Sequence, residues 1–390
     1  MDETRAREGL GNENLEPAVW HIEDNGTLVI EPPEGRDRAI IQLEMCEDAL
    51  RREPWSDPHR APWAGEAARI VRLRVEPGVV APPCSGSLFR NLVNLRHADV
   101  SALDVSRVVD LSDAFRGCGS LHVLDLSGWD VSHVEKFRGM FCGCGRLREL
   151  AVENWRTPQA KDLQDMFRGC GSLRMLDLSG WGVSRVELMD AMFSGCGGLR
   201  ELDLSGWDVS KVQLMICLFR GCTSLRTLDL SGWDVSRVAN MCLMFWGCAS
   251  LRELDLSGWD VSNVWDMTLM FSGCSMLRDL DLRGWNTAHL KVMYGTFYGC
   301  SRLRTLDLSD WDVSNVWNMG YLFYGCSRLR TLDLSGWDLS RVYFLHNMFN
   351  GCERLSQLVV DDWRISRTSY SEGMLEGCKS LELPELEYAD

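Results

Sequence analysis

The chain has no apolar run long enough to cross a bilayer. Its opening, Met1-Asp-Glu-Thr-Arg-Ala-Arg-Glu-Gly-Leu, lacks the apolar core of a secretory signal, and its end, Leu386-Glu-Tyr-Ala-Asp390, lacks an anchor. The expectation is a chain with no export signal of its own: cytoplasmic, or a piece of a longer secreted polypeptide. Basic excess is also missing, since 41 Lys and Arg stand against 56 Asp and Glu, for a net charge of −15. Nucleic acid binding needs a basic face, so that partner class is not expected, whereas a basic protein, a cation or a neutral ligand fits. Close cysteine spacings are absent except for Cys142-Gly-Cys144, which leaves no recognisable metal ligand set. A Gly-rich phosphate loop is missing too, and the seven His (21, 59, 97, 122, 133, 289, 346) pair with no nucleophile motif. No catalytic residue, metal or cofactor is expected.

What is present is repetition. Trp recurs at 129, 155, 181, 207, 233, 259, 285, 311, 337 and 363, always 26 residues apart. Cys keeps the same period from 118 to 378, each time preceded by Gly. Self-similarity at this period signals a solenoid, in which each rung buries its apolar side against its neighbours. A side chain that recurs once per rung forms a column. The ten Trp are therefore expected in core or turn packing, and the Cys column as buried thiols. Adjacent rungs lie about 5 Å apart, which is within disulfide reach, so spacing alone does not exclude bridges.

With the leading Leu as position 1 (Leu121, Leu147 and so on), the rungs typically begin Leu-x-x-Leu-x-Leu. Positions 3 to 7 alternate outward and inward, which predicts a short strand parallel to its copies. Ser at position 12 (Ser132, Ser184, Ser210) reads as a helix N-cap, and Glu135 and Glu187 complete a capping box. Apolar residues at 14, 17, 20 and 21, such as Val186, Met189, Met192 and Phe193, fit one helical face, with Gly at 23 ending it. The predicted fold class is thus an α/β solenoid of about ten to eleven strand-turn-helix units.

Before the repeats, residues 1–16 read as a polar tail. Residues 17–86 read as an N-terminal cap with a β-hairpin turning at Asn25-Gly26, a short helix near 40–50 and a strand at Val71–Val75. Residues 87–390 read as the leucine-rich-repeat solenoid with a C-terminal cap. Pro384, at position 4 of a final rung, cannot donate a strand hydrogen bond and is expected to stop the stack.

The motif Leu-Asp-Leu-Ser-Gly-Trp-Asp-Val-Ser-x-Val, followed by Met-Phe-x-Gly-Cys-x-x-Leu, resembles the BspA-like leucine-rich-repeat proteins of bacterial surfaces, whose repeat also occurs in Mycoplasma lipoproteins. The hairpin and residues 62–75 resemble the lead-in of longer members. The resemblance implies protein binding or adhesion at a cell surface, by a secreted or surface protein, and brings no catalytic residues with it.

Two surface columns are candidates for contact. Position 5 is Asp at 125, 177, 203, 229, 255, 281, 307 and 333, and position 2 is Arg at 148, 174, 200, 226, 252, 278, 304 and 330. They read as a self-neutralising network, or as an acidic concave face through which an intracellular scaffold or regulator would bind. The second column is aromatic. Trp265, Trp317 and Tyr343 sit at position 15, Tyr294 at 18, Tyr321 at 19, and Trp246, Tyr298 and Tyr324 at 22. On a helix these positions share one face, opposite the core. Earlier rungs carry Glu135, Lys161, Glu187, Arg168, Ser194 and Arg220 there. The eight aromatics are the expected binding residues for a protein or carbohydrate ligand, the alternative being sideways packing between neighbouring rungs. Serine replacement of Trp265, Trp317 and Tyr343 separates the two.

Overall fold

The computed structural model describes residues 15–45, 59–360, 363–366, 369–381 and 387–389. Two compact units partition the chain, Met1–Arg185 and Val186–Asp390. Most of the predicted tail lies outside the described residues.

The first unit opens with the expected hairpin. Val19–Ile22 pairs antiparallel with Thr27–Glu31, and the turn is closed by the Asn25 carboxamide oxygen accepting from Thr27 N and Oγ1. Gly26 has φ +78°, and a Cβ there would lie 2.8 Å from the Arg69 carbonyl, so only Gly fits. Thr27–Glu31 then pairs parallel with Arg72–Val75, which pairs with His97–Asp99, and the ladder continues through Val123–Asp125 to Glu149–Ala151. The short helix expected near 40–50 is not seen where the chain is described. Ala39–Ile40 and Glu44–Met45 are strands, and residues 46–50 lie outside the described set.

In the second unit, Thr305–Asp307, Thr331–Asp333 and Gln357–Val359 pair parallel and in register at the 26-residue offset. Between Val186 and 280 the same face is held more sparsely, by the Asp203–Asp229 bridge and by bonds such as Arg226 N–H to the Arg200 carbonyl. The predicted strands are therefore present but uneven. Pro384 lies outside the described residues. Glu387–Ala389 nevertheless pairs parallel with Arg364–Ser366, so pairing does not end at that proline as expected.

The predicted helices are absent. Among the described residues the one helix is a 3-10 segment, Ala64–Arg69, and no helix is long and apolar enough to cross a membrane. The strand-turn-helix unit is therefore corrected to strand, turns and a second ladder. Single parallel bridges link position 16 of successive rungs, as in Leu188, Leu214, Asn240, Asp266, Val292, Asn318, Phe344 and Tyr370. Amides at positions 17, 19, 21 and 23 donate to the next rung, as in Met215 to Asn240 O, Cys217 to Cys242 O, Phe219 to Met244 O and Gly221 to Trp246 O. Ser132, at position 12, caps no helix; its own amide is capped, donating to Asp130 Oδ1. Glu135 closes no capping box, and its carboxylate meets Lys161 Nζ at 2.8 Å.

Geometry explains the failure. An α-helix is about 10 Å across, whereas paired strands repeat at about 4.8 Å, so helices stacked one per rung cannot follow a hydrogen-bonded ladder on their own side. The Phe column at position 21 repeats at 5.5–5.7 Å through the second unit, from Phe193 to Phe349, too close for helices. Position 19 also breaks any helix, since Asp113, Asp165, Ala191, Cys217, Leu243, Leu269, Tyr321 and Asn347 all have φ between 53° and 59°.

Both predicted core columns are buried, apart from the half-buried Cys378, and each has a polar task besides packing. The indole Nε1 of Trp155 donates to the Leu126 carbonyl, and those of Trp233, Trp259, Trp285, Trp311 and Trp337 donate to the residue 29 positions earlier in the same way, at 2.9–3.3 Å. The cysteine thiols act alike. Cys144 Sγ donates to Phe115 O, and Cys222, Cys248, Cys274, Cys300, Cys326 and Cys352 repeat the bond at 3.1–3.2 Å. These thiols are unbridged. Burial pushes Cys248 and Cys300 up to about 12 and others of the column well above their ordinary value.

Candidate functional site

Position 5 of each rung lies at the open strand face. Asp125 Oδ1 accepts from both the amide and the hydroxyl of Ser127, and Asp229 does the same with Ser231. The serine hydroxyl first, then the amide, holds both carboxyls below their ordinary value. One carboxylate oxygen per Asp is thus already engaged in closing a turn, which is the local reason for Asp followed by Ser at positions 5 and 7. At Asp125 and Asp229 the partner seen is thus the serine two residues on. In the second unit, Asp281 departs from the rule because Arg283 replaces serine. Arg283 Nε and Nη2 reach both Asp281 oxygens, at 2.9 and 2.7 Å, and bring that carboxyl to about 2. A groove of about 590 Å³ runs over this face, lined by Asp281, Arg283, Thr305, Asp307, Thr331 and Asp333 among others.

The aromatic residues lie along the other ladder of the second unit. Each sits in a run of turns whose alternate amides bind the next rung, which leaves the outward side chains one rung apart and free to touch. Tyr298 and Tyr324, both at position 22, stack with centroids 4.8 Å apart and planes 6° apart. Tyr321 meets Tyr324 at 5.5 Å, Tyr294 edge-on at 5.6 Å and Tyr298 at 6.2 Å. His346 stands perpendicular to Tyr321 at 4.9 Å and touches Tyr294, Phe344 and Tyr370. Phe344 leads on to Trp317 at 6.1 Å. Such edge-on and offset pairs each add about 0.5–1.5 kcal/mol beyond burial.

Five of the eight predicted residues, Tyr294, Tyr298, Trp317, Tyr321 and Tyr324, therefore belong to one connected set of rings. The other three stand outside it. Trp246 is exposed with the Arg220 guanidinium 4.9 Å over its ring. Trp265 and Tyr343 are exposed at position 15. Three members were not anticipated: Phe344 and Tyr370 at position 16, and His346 at position 18. Helical geometry placed position 16 away from the aromatic face, whereas in the ladder it borders it. The signal was in the sequence as two aromatics at one position, a rung apart.

His346 is the polar element of this set. Its Nδ1 is buried without a hydrogen-bond partner, and burial holds its basicity below the ordinary histidine value. The ring occupies the space over Gly320, where a Cβ would come within 2.5 Å of Cε1. Tyr370 Oη donates to the Glu372 carboxylate at the outer end of the set. In the first unit the same positions carry charge instead, with Arg116 and Arg168 paired to Asp113 and Asp165, and Lys161 to Glu135.

The arrangement offers flat apolar faces and phenol hydroxyls, with no nucleophile and base brought together. Among the described residues no group of three or more His, Cys, Asp and Glu could hold a metal.

The profile of the family described as "Mycoplasma protein of unknown function, DUF285" matches residues 86–175, 161–280, 189–306 and 275–387. No curated protein matches the chain. Among solved structures, the chain is similar to a leucine-rich repeat protein from Bacteroides ovatus, at 16% identity over 95% of this chain and 93% of that one, with a TM-score of 0.42. It is also similar to a leucine rich cell surface protein from Faecalibacterium prausnitzii, at 15% identity over 90% and 94%, with a TM-score of 0.43.

Proposed function

The chain belongs to the family described as Mycoplasma protein of unknown function, DUF285, in keeping with its BspA-like repeat, and from that premise we propose that it is a non-enzymatic protein-binding repeat scaffold of bacterial surface type. Its contact surface is the ring set of the second unit, centred on Tyr298, Tyr321, Tyr324 and His346. The observation that carries this reading is the connected, partly exposed aromatic network itself, at positions that hold Arg, Lys and Glu in the first unit. Aromatic rings supply large, stiff contact areas at little entropic cost, which is why they anchor protein interfaces. The serine-capped carboxylates of the strand face make a weaker claim, because their acceptor capacity is partly used within the chain.

The test is capture of partner proteins by the immobilised chain, followed by affinity measurement for the partner found. Serine at Tyr298, Tyr324 and Trp317 should each weaken binding about 30-fold, the equivalent of about 2 kcal/mol per anchor. Serine at Trp265 and Tyr343, outside the ring set, should cost less, and serine at Asp229 and Asp255 should leave affinity unchanged. Unaltered binding in the ring variants together with lowered stability would reduce the network to packing.

A further inference from the structure

We propose that Cys217 and Cys242 form a dithiol site that is converted to an inter-rung disulfide by a low-molecular-weight disulfide such as oxidised glutathione. The two residues occupy position 19 of one rung and position 18 of the next, and Cys217 N donates to the Cys242 carbonyl at 2.9 Å. From that bond, an N–Cα length of about 1.46 Å and a carbonyl O to Cα separation of about 2.4 Å, the two Cα atoms lie at most about 6.8 Å apart. That falls inside the span a disulfide bridges, about 4.4–6.8 Å. Side chains at this pair of positions meet elsewhere in the same unit, where Tyr321 and His346 sit with ring centroids 4.9 Å apart. Both cysteines are half-buried thiols rather than members of the sealed column. The neighbouring column thiols Cys222 and Cys248 are buried and donate to the Phe193 and Phe219 carbonyls, so access does not favour their oxidation.

The chemistry is two successive exchanges. One cysteine loses its proton, and the thiolate attacks a glutathione sulfur, forming a mixed disulfide and releasing one glutathione thiolate. The second cysteine, deprotonated in turn, attacks the protein-bound sulfur and releases the second glutathione. Two protein thiols are oxidised, one glutathione disulfide is reduced, and the two protons pass to the two leaving thiolates. Burial first, and then the neighbouring Asp266 and Cys217, push Cys242 up to about 12, so the exchange is slow at neutral pH and quickens in mild alkali.

The experiment treats the full chain with oxidised glutathione at mildly alkaline pH, blocks remaining thiols with N-ethylmaleimide, and maps tryptic peptides by mass spectrometry. The expected product joins residues 212–220 to 238–252, two hydrogens lighter than the separate peptides, with fragmentation placing the bond on Cys242 rather than Cys248. In Cys242→Ser the link should vanish and Cys217 should carry a glutathione adduct, with unchanged tryptophan fluorescence reporting the fold. Cys217→Ala supplies the reciprocal adduct on Cys242. Wild-type protein with both cysteines alkylated, with both separately glutathionylated, or with the link at Cys248 would overturn the proposal, whatever the variants do.

Discussion

Trp285 offers a direct measure of why the repeat keeps tryptophan. Its ring is buried between Trp259 and Trp311, at 6.4 and 5.8 Å, and its Nε1 donates to the Leu256 carbonyl at 3.2 Å. Replacing Trp285 with benzothienylalanine keeps the bicyclic shape and substitutes sulfur for the N–H. The Leu256 carbonyl still accepts from Trp259 N, so it is not orphaned, and the loss should be that of one neutral hydrogen bond, about 1 kcal/mol. Trp285→Phe removes the bond and also shortens the ring. A cavity of about 40 Å³ at about 24 cal/mol per Å³ costs about 1 kcal/mol, and about 40 Å² of lost apolar burial costs about as much again. The Phe variant should therefore be destabilised by about 3 kcal/mol. Urea unfolding followed by circular dichroism on all three proteins gives both differences. If the benzothienyl protein unfolds at the parental midpoint, the indole N–H contributes nothing and tryptophan is kept for volume alone.

Other outcomes follow from the same contacts. Gly320→Ala should displace His346 and cost about 1–3 kcal/mol by overpacking, and the displacement would be read from the His346 imidazole resonances, which an unstrained site would leave in place. Ala191→Gly should stabilise the second unit by up to about 1 kcal/mol, because Ala191 holds φ 53° where other rungs have Gly139 or Gly295, and a lower urea midpoint would contradict the strain argument. The Asp281 carboxyl, held at about 2 by Arg283, favours the folded state above the unfolded carboxylate value of about 3.9, and that contribution fades as pH falls through about 2. Arg283→Ser should return Asp281 toward its serine-capped neighbours in an NMR titration, and an unmoved value would assign the shift elsewhere.

The 26-residue period makes much of this architecture legible in the sequence, because a column is a consequence of arithmetic once rungs stack. Burial of Trp285 and Cys274 followed from it, as did the outward Asp of the strand face. The hairpin was legible from Asn25-Gly26, whose turn geometry is local. The helices were not, because apolar residues at 14, 17, 20 and 21 satisfy a helical face and a series of three-residue turns equally well. Arbitration comes from a non-local quantity, the rung spacing, and from the left-handed residue at position 19, which Leu243 and Tyr321 do not advertise. The helical reading also left Phe344 off the aromatic face, whereas the ladder sets it against Trp317 and His346. Trp63 was also missed as a repeat residue. It lies 26 before Phe89, stacks on it at 6.0 Å and donates Nε1 to the Leu88 carbonyl, so it closes the first phenylalanine column of its unit.

The bonds from Trp233 onward and from the Cys column, each reaching back 29 residues, have an evolutionary corollary. Each of these coils brings its own fasteners and presents the sockets that the following coil requires, so in this bond one such junction equals another. Unequal crossing-over there that excises or duplicates a whole multiple of 26 codons leaves each fastener facing a socket. Such a gene can change the reach of its product in quantised steps without a repair mutation at the seam.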